Sequence, residues 1–312
     1  MRIAALFSVR MAISPLALTT ALLAFQSHGG SSGAGREAAS PPDGRAASGP
    51  SSQAASGPSG QAASRPGRPT SARPRAQAPT KNPNFKPCEF TGKDGAKLNY
   101  WLMTPKDYDP SQKYPLLLAL HGSQGIVEAP NALGSDEMRE KHRWFVMAPA
   151  APDGSTWAMS KEMKEEFGEM RSSALPLVLE ALEALEKESA IDPRRLYVTG
   201  QSMGGAGTYG ALALRPEMFA AAAPICGRWD LADAAKFAHV PMWIFHGDAD
   251  TRVPVHYSRD MAEALKKAGG APRYTEFPGV GHNSWLNACA MPELWDWMEA
   301  QRLKKPAEGP RK

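Results

Sequence analysis

Three side chains that together make a nucleophile recur along this chain at strand ends. Ser202 lies in Gly200-Gln201-Ser202-Met203-Gly204, between the apolar run Arg195–Thr199 and the small-residue, helix-compatible stretch 205–214. A Gly-x-Ser-x-Gly at such a junction makes a turn so sharp that the serine hydroxyl stands clear of the sheet. A hydroxyl at its free pKa is a poor nucleophile and needs a base. His282, in Gly279-Val280-Gly281-His282, follows the predicted strand Pro272–Phe277 and supplies an imidazole. The loop His246-Gly247-Asp248-Ala249-Asp250 follows the run Val240–Phe245 and supplies two carboxylates able to orient that imidazole. Asp230 and Asp233, just after another predicted strand, are weaker rivals. All three groups thus stand beyond carboxyl ends of predicted strands, where open α/β sheets place their chemistry. The chain order is serine, acid, histidine.

Acyl transfer also needs two preset N–H donors for the oxyanion. The backbone N–H of Met203, at the start of the predicted helix, is one candidate. Ser123, in the loop after Leu116–Leu120, is the other. His121 and His246 each stand in a His-Gly pair at a strand end and are read as braces of the site loops. Trp157, Trp229 and Trp285 are candidate walls of an acyl pocket; a buried place in the core is the common alternative for each.

The elements that would position these groups alternate between strand and helix. Residues 88–90 and 97–103 read as an antiparallel hairpin turning at Gly92–Gly95. Tyr114–Leu120 is an unbroken apolar run, as expected of a strand covered on both faces. Trp144–Ala148, Leu196–Thr199 and Phe219–Ile225 read as further strands. Leu175–Ser189, His256–Ala268 and Pro292–Leu303 read as helices. The class is α/β, with a mostly parallel sheet flanked by helices.

Of the 312 residues, those before Phe85 have a different composition. Residues 28–84 are Ser, Ala, Gly, Pro, Gln and Arg, with a near-repeat at Arg45–Pro50, Gln53–Pro58 and Gln61–Pro66. Such a segment cannot bury enough apolar surface to offset the entropy of ordering it, so it reads as a disordered linker. Residues 85–303 read as one catalytic domain and 304–312 as a flexible tail. Residues 1–27 carry Arg2 and Arg10 and then the short apolar stretch Met11–Phe25, the pattern of an export signal or an uncleaved anchor. The protein is therefore expected to be exported to the periplasm, cell surface or medium. The formal net charge of +4 combines +7 in the first 84 residues with −3 in the rest; the domain itself is mildly acidic and has no basic nucleic-acid face. The basic linker could touch anionic cell-surface polymers or a membrane. The seven histidines show no metal-binding spacing, and no nucleotide-binding loop occurs, so neither metal nor cofactor is expected. Three cysteines allow at most one internal disulfide; Cys88 and Cys289 could pair, whereas Cys226 reads as a packed small residue.

In combination, Tyr114–Gly122, Phe145–Pro149, Ile191–Gly205, Pro224–Gly227, Trp243–Asp250 and Pro278–Trp285 resemble the secreted prolyl-oligopeptidase-like esterases of the α/β-hydrolase superfamily. These are relatives of dienelactone hydrolase and of the phospholipase/carboxylesterase group. The resemblance spans nearly all of 85–303. It implies the α/β-hydrolase fold and favours Asp250 over Asp248 as the acid. It also implies a serine hydrolase of carboxylic esters, acting on a small-molecule or polymer-linked ester with Ser202, His282 and Asp250. A peptidase of short peptides is the second reading. The family's gating β-propeller has no counterpart before Phe85, and Ser123-Gln124-Gly125 replaces the usual oxyanion-loop sequence. A catalytically silent surface-binding protein is the third reading.

Overall fold

A computed structural model describes residues 82–125, 128–152, 154–167 and 173–304. The expected export segment, nearly all of the expected linker and all but Lys304 of the expected tail lie outside the described residues. Strands β1 (Phe85–Thr91), β2 (Lys97–Met103), β3 (Tyr114–Leu120), β4 (Phe145–Pro149), β5 (Ile191–Gln201), β6 (Ala221–Ile225), β7 (Trp243–Gly247) and β8 (Arg273–Phe277) form one sheet. Their order is β1-β2-β4-β3-β5-β6-β7-β8. The first two strands run antiparallel to their neighbours, and every later pairing is parallel.

The parallel strands are apolar at successive positions because both faces are covered. Leu116, Leu118 and Leu120 pack on one side against α4 (Leu175–Glu188), α5 (Met203–Leu214) and α7 (His256–Lys267). Leu117 and Ala119 face the other side, where α1 (Glu128–Leu133), α8 (Trp285–Cys289) and α9 (Pro292–Ala300) close a second core around Trp144, Tyr197 and Trp295. The short helices α2 (Asp136–Lys141), α3 (Lys161–Phe167) and α6 (Ala234–Phe237) complete the connections. This is the α/β arrangement expected from the sequence. Among the described residues no helix is long and apolar enough to cross a membrane.

Several boundaries differ from expectation, and two of them have a clear cause. β5 begins at Ile191 and runs through Pro193, because the register against β3 shifts there and the proline's missing N–H falls in the irregularity. α9 stops at Ala300, and the chain then extends so that Leu303 N–H donates to the Arg194 carbonyl. All three cysteines are free thiols; Cys226 and Cys289 are buried in the core and Cys88 lies on the edge strand β1.

Candidate active site

β5 leads straight into α5, and Ser202 is the single residue between them. Its backbone is held at φ 55° and ψ −115°, a strained conformation for a residue with a side chain. The Ser202 N–H donates to the Ile225 carbonyl at 2.9 Å, and its carbonyl accepts from Ala206 N–H at 3.0 Å. Close packing forces the flanking glycines. A Cβ on Gly204 would lie 2.0 Å from the Leu120 carbonyl oxygen, and one on Gly200 would lie 2.3 Å from the Gly204 carbonyl oxygen. Both obstructions are backbone, which cannot swing away. Gly204→Ala is therefore expected to cost about 1–3 kcal/mol or more and to displace Ser202. Chemical denaturation and residual activity of the variant check this; unchanged values would show the junction to be looser than the packing implies.

Asp250 and His282 converge on the same point. His282 Nε2 is 2.8 Å from Ser202 Oγ, and His282 Nδ1 is 2.7 Å from Asp250 Oδ2. An ionised carboxylate only accepts, so Nδ1 carries the proton and Nε2 is free to accept from the serine hydroxyl. The Asp250 side chain is fully buried. Burial alone would raise its carboxyl. Donation by His282 and by the N–H groups of Val253 and Arg252 outweighs that and holds it below the ordinary carboxylate value. Asp248 does not compete: it is exposed and accepts from Gly279 N–H at 2.6 Å, which pins the histidine loop. Asp230 accepts from Glu162 N–H, and Asp233 from the Trp229 indole.

The loop after β3 runs beside this group. A Cβ on Gly122 would lie 3.7 Å from that of Ser202. Gly125 N–H donates to the Gly122 carbonyl, closing a turn over Ser123. His121 braces the loop from beneath: its Nε2 accepts from Ala151 N–H at 3.1 Å, so its Nδ1–H donates to the Gly122 carbonyl at 2.8 Å. Burial lowers the His121 pKa and keeps it in this neutral form. Among the described residues the Ser123 N–H has no acceptor. Met203, as the first residue of α5, has none within the helix.

The three tryptophans separate. Trp285 stands edge-on to the His282 ring, with centroids 5.5 Å apart, and is only partly buried. Trp157 is not a pocket wall. It is completely buried, donates its indole N–H to the His121 carbonyl at 2.7 Å and packs on Gly207 of α5, so it supports the loop instead. Trp229 is likewise core-packed, with its indole N–H spent on Asp233.

One contact was not foreseen. Cys226, at the end of β6, has φ 41° and directs its thiol to the His282 carbonyl at 3.4 Å. Nothing in the residue type announces this; the only hint was its place just after a strand. Cys226, Asp250 and His282 bring three potential metal-ligand atoms within 4.8 Å of one another. Burial pushes the thiol up to about 12, away from the thiolate a metal needs, and Nδ1 and Oδ2 already hold each other. The donor set suits proton transfer better than metal binding.

Residues 147–288, which include all three groups, match the dienelactone hydrolase family. That match spans a little under half of the chain. A thermostable esterase of known structure is 32% identical with a TM-score of 0.64, the alignment covering 71% of this chain and 64% of that one. The uncharacterized peptidase YuxL of Bacillus subtilis (strain 168) is 25% identical over 62% of this chain. Poly(3-hydroxyalkanoate) depolymerase C of Paucimonas lemoignei is 31% identical over 36% of this chain. The alignments span 35% and 28% of those two relatives. The chain is thus similar to esterases, with a peptidase and a depolymerase among its relatives, and spans less than two thirds of the length of each.

Proposed function

We propose that the chain is a serine hydrolase of carboxylic esters that works through an acyl-enzyme. The observation that carries this is the continuous hydrogen-bonded line from Ser202 Oγ through His282 to Asp250. As Ser202 Oγ attacks the ester carbonyl, His282 Nε2 takes its proton, and Asp250 stabilises the imidazolium. The N–H groups of Ser123 and Met203 receive the oxyanion. When the tetrahedral species collapses, His282 returns the proton to the leaving alkoxide and the acyl group stays on Ser202. Water, deprotonated by His282, then attacks the acyl carbonyl; the second tetrahedral species releases the acid and restores the serine. The exposed edge of Trp285 forms one wall beside the reacting carbonyl. A polymer-linked ester is favoured as substrate by the likeness to a polyester depolymerase. An exported enzyme on a basic linker would suit such an insoluble or surface-bound target.

The likeness to a peptidase supports the second reading, cleavage of short peptides. A p-nitrophenyl butyrate assay run against proline p-nitroanilides separates the two. Amides demand leaving-group protonation, a step worth about 10²–10⁴-fold, so kcat/KM for the ester is expected to exceed that for the anilides by about 100-fold or more. Faster anilide turnover would reverse the ranking. Ligand binding with no turnover of any ester, together with no labelling by a fluorophosphonate, would instead favour a silent binding protein.

A further inference from the structure

A second imidazole stands behind Asp250. His246, the fourth residue of β7, is completely buried. Its Nε2 lies 2.8 Å from the Val253 carbonyl oxygen and 3.2 Å from Asp250 Oδ2, and its Nδ1 lies 2.7 Å from Ser258 Oγ on α7. These partners dictate where its proton sits. A carbonyl and a carboxylate only accept, so Nε2 carries the hydrogen; Nδ1 is then bare and accepts from the Ser258 hydroxyl. Burial, which lowers the His246 pKa, favours the same neutral form.

The result is a line of five groups from Ser258 to Ser202. Ser258 donates to His246, the His246 N–H donates to the Val253 carbonyl while lying 3.2 Å from Asp250 Oδ2, and His282 donates to that oxygen and accepts from Ser202. Asp250 Oδ1 is held separately by the N–H groups of Arg252 and Val253, at 2.8 and 3.0 Å. Val253 therefore closes a ring: its N–H binds the carboxylate, and its carbonyl binds the imidazole behind the carboxylate. A histidine that merely filled space would not need its N–H edge beside the one oxygen that holds the base and on the carbonyl of the residue that binds the other.

We propose that His246, backed by Ser258, is a positioning residue that fixes the Asp250 carboxylate and tempers its hold on the His282 proton. This rests on the proposed roles of Ser202, His282 and Asp250. The positive N–H edge of His246, 3.2 Å from Oδ2, draws charge from the oxygen facing His282. Without it, the carboxylate attracts the imidazolium proton more strongly, and the base stays protonated to higher pH. The other charged or titratable groups around this line are few. Glu276 pairs with His246 across β7 and β8 and is held by Arg259 and Tyr274. The Cys226 thiol, on the His282 carbonyl, lies within 4.8 Å of ligand atoms of Asp250 and His282.

The test uses the full chain and p-nitrophenyl butyrate, with four proteins in parallel: wild type, Ser258→Ala, His246→Leu and Ser202→Ala. Ser258→Ala removes one buried hydroxyl; His246→Leu removes the imidazole itself. Both are expected to move the acid limb of the kcat/KM profile upward, by about 0.5–1 pH unit for His246→Leu and less for Ser258→Ala. For His246→Leu, kcat is expected to fall about tenfold with KM within about twofold, the pattern of a lost interaction that matters only during the reaction. A structural defect would lower the active fraction without moving the limb. If His246→Leu does not fold, Ser258→Ala decides alone. Unmoved acid limbs in every folded variant, with Ser202→Ala inactive, would overturn the role of His246 and leave the serine reading standing. A fully active Ser202→Ala would overturn that reading instead.

Discussion

Ser202→Ala is expected to lower kcat for p-nitrophenyl butyrate by about 10⁵-fold or more, since the proposed acyl intermediate forms on this hydroxyl. The same variant should no longer react with a fluorophosphonate. The substitution deletes one partly exposed oxygen and leaves the elbow's contacts in place: Ser202 N–H on Ile225, and its carbonyl under Ala206. The expected change in unfolding free energy is within about 0.5 kcal/mol. Lost activity with unchanged stability assigns the chemistry to the hydroxyl. Equal labelling of wild type and variant would move the nucleophile elsewhere.

Asp250→Asn is expected to cost about 10⁴-fold in kcat, because it changes a tautomer and leaves the outline of the site alone. The amide oxygen can keep the two N–H donors of Arg252 and Val253. Its NH₂ then takes the place of Oδ2, opposite His282 Nδ1 at 2.7 Å. A donor there requires a bare Nδ1, so the ring hydrogen moves to Nε2, where it confronts Ser202 Oγ and can no longer accept its proton. Stability should change in a pH-dependent way. The carboxyl of Asp250 is depressed in the folded state, so its contribution is present above its unfolded value and fades as pH falls through the folded one. The variant lacks that dependence and should show a shallower loss of stability on acidification. Activity within about tenfold of wild type would assign the acid's role to another group.

Much of this arrangement was legible in residue order because the fold puts strand ends together. Once Tyr114–Leu120, Arg195–Thr199 and Val240–Phe245 read as parallel strands, their following loops had to share one edge of the sheet. The meeting of Ser202, His282 and an aspartate from the 246–250 loop follows from that topology. The choice between Asp248 and Asp250 did not follow from spacing. It depends on a turn in which Asp248 caps Gly279 N–H and Asp250 turns inward. The tryptophans were illegible for a related reason: whether an indole faces the core or the site depends on what packs above the sheet. For Trp157 that is Gly207 and the His121 carbonyl, contacts set by close approach and carrying no sequence period. The short polar α3 had no apolar stripe to announce it, and the strained Cys226 had no glycine to mark its positive φ.

The composition of α5 has a consequence for how the enzyme fails. Its sequence, MGGAGTYGALAL, holds four glycines, each about 1 kcal/mol less favourable in a helix than alanine. As a free peptide it would not be helical. It exists because Gly204, Gly205, Gly207 and Gly210 let it press against neighbouring chain segments at distances no side chain allows. Its amides should therefore exchange with solvent only when the whole domain opens, and never by fraying of this helix alone. The serine's mount has no intermediate state of its own. On heating, activity should persist almost undiminished and then vanish in the same cooperative step as the fold.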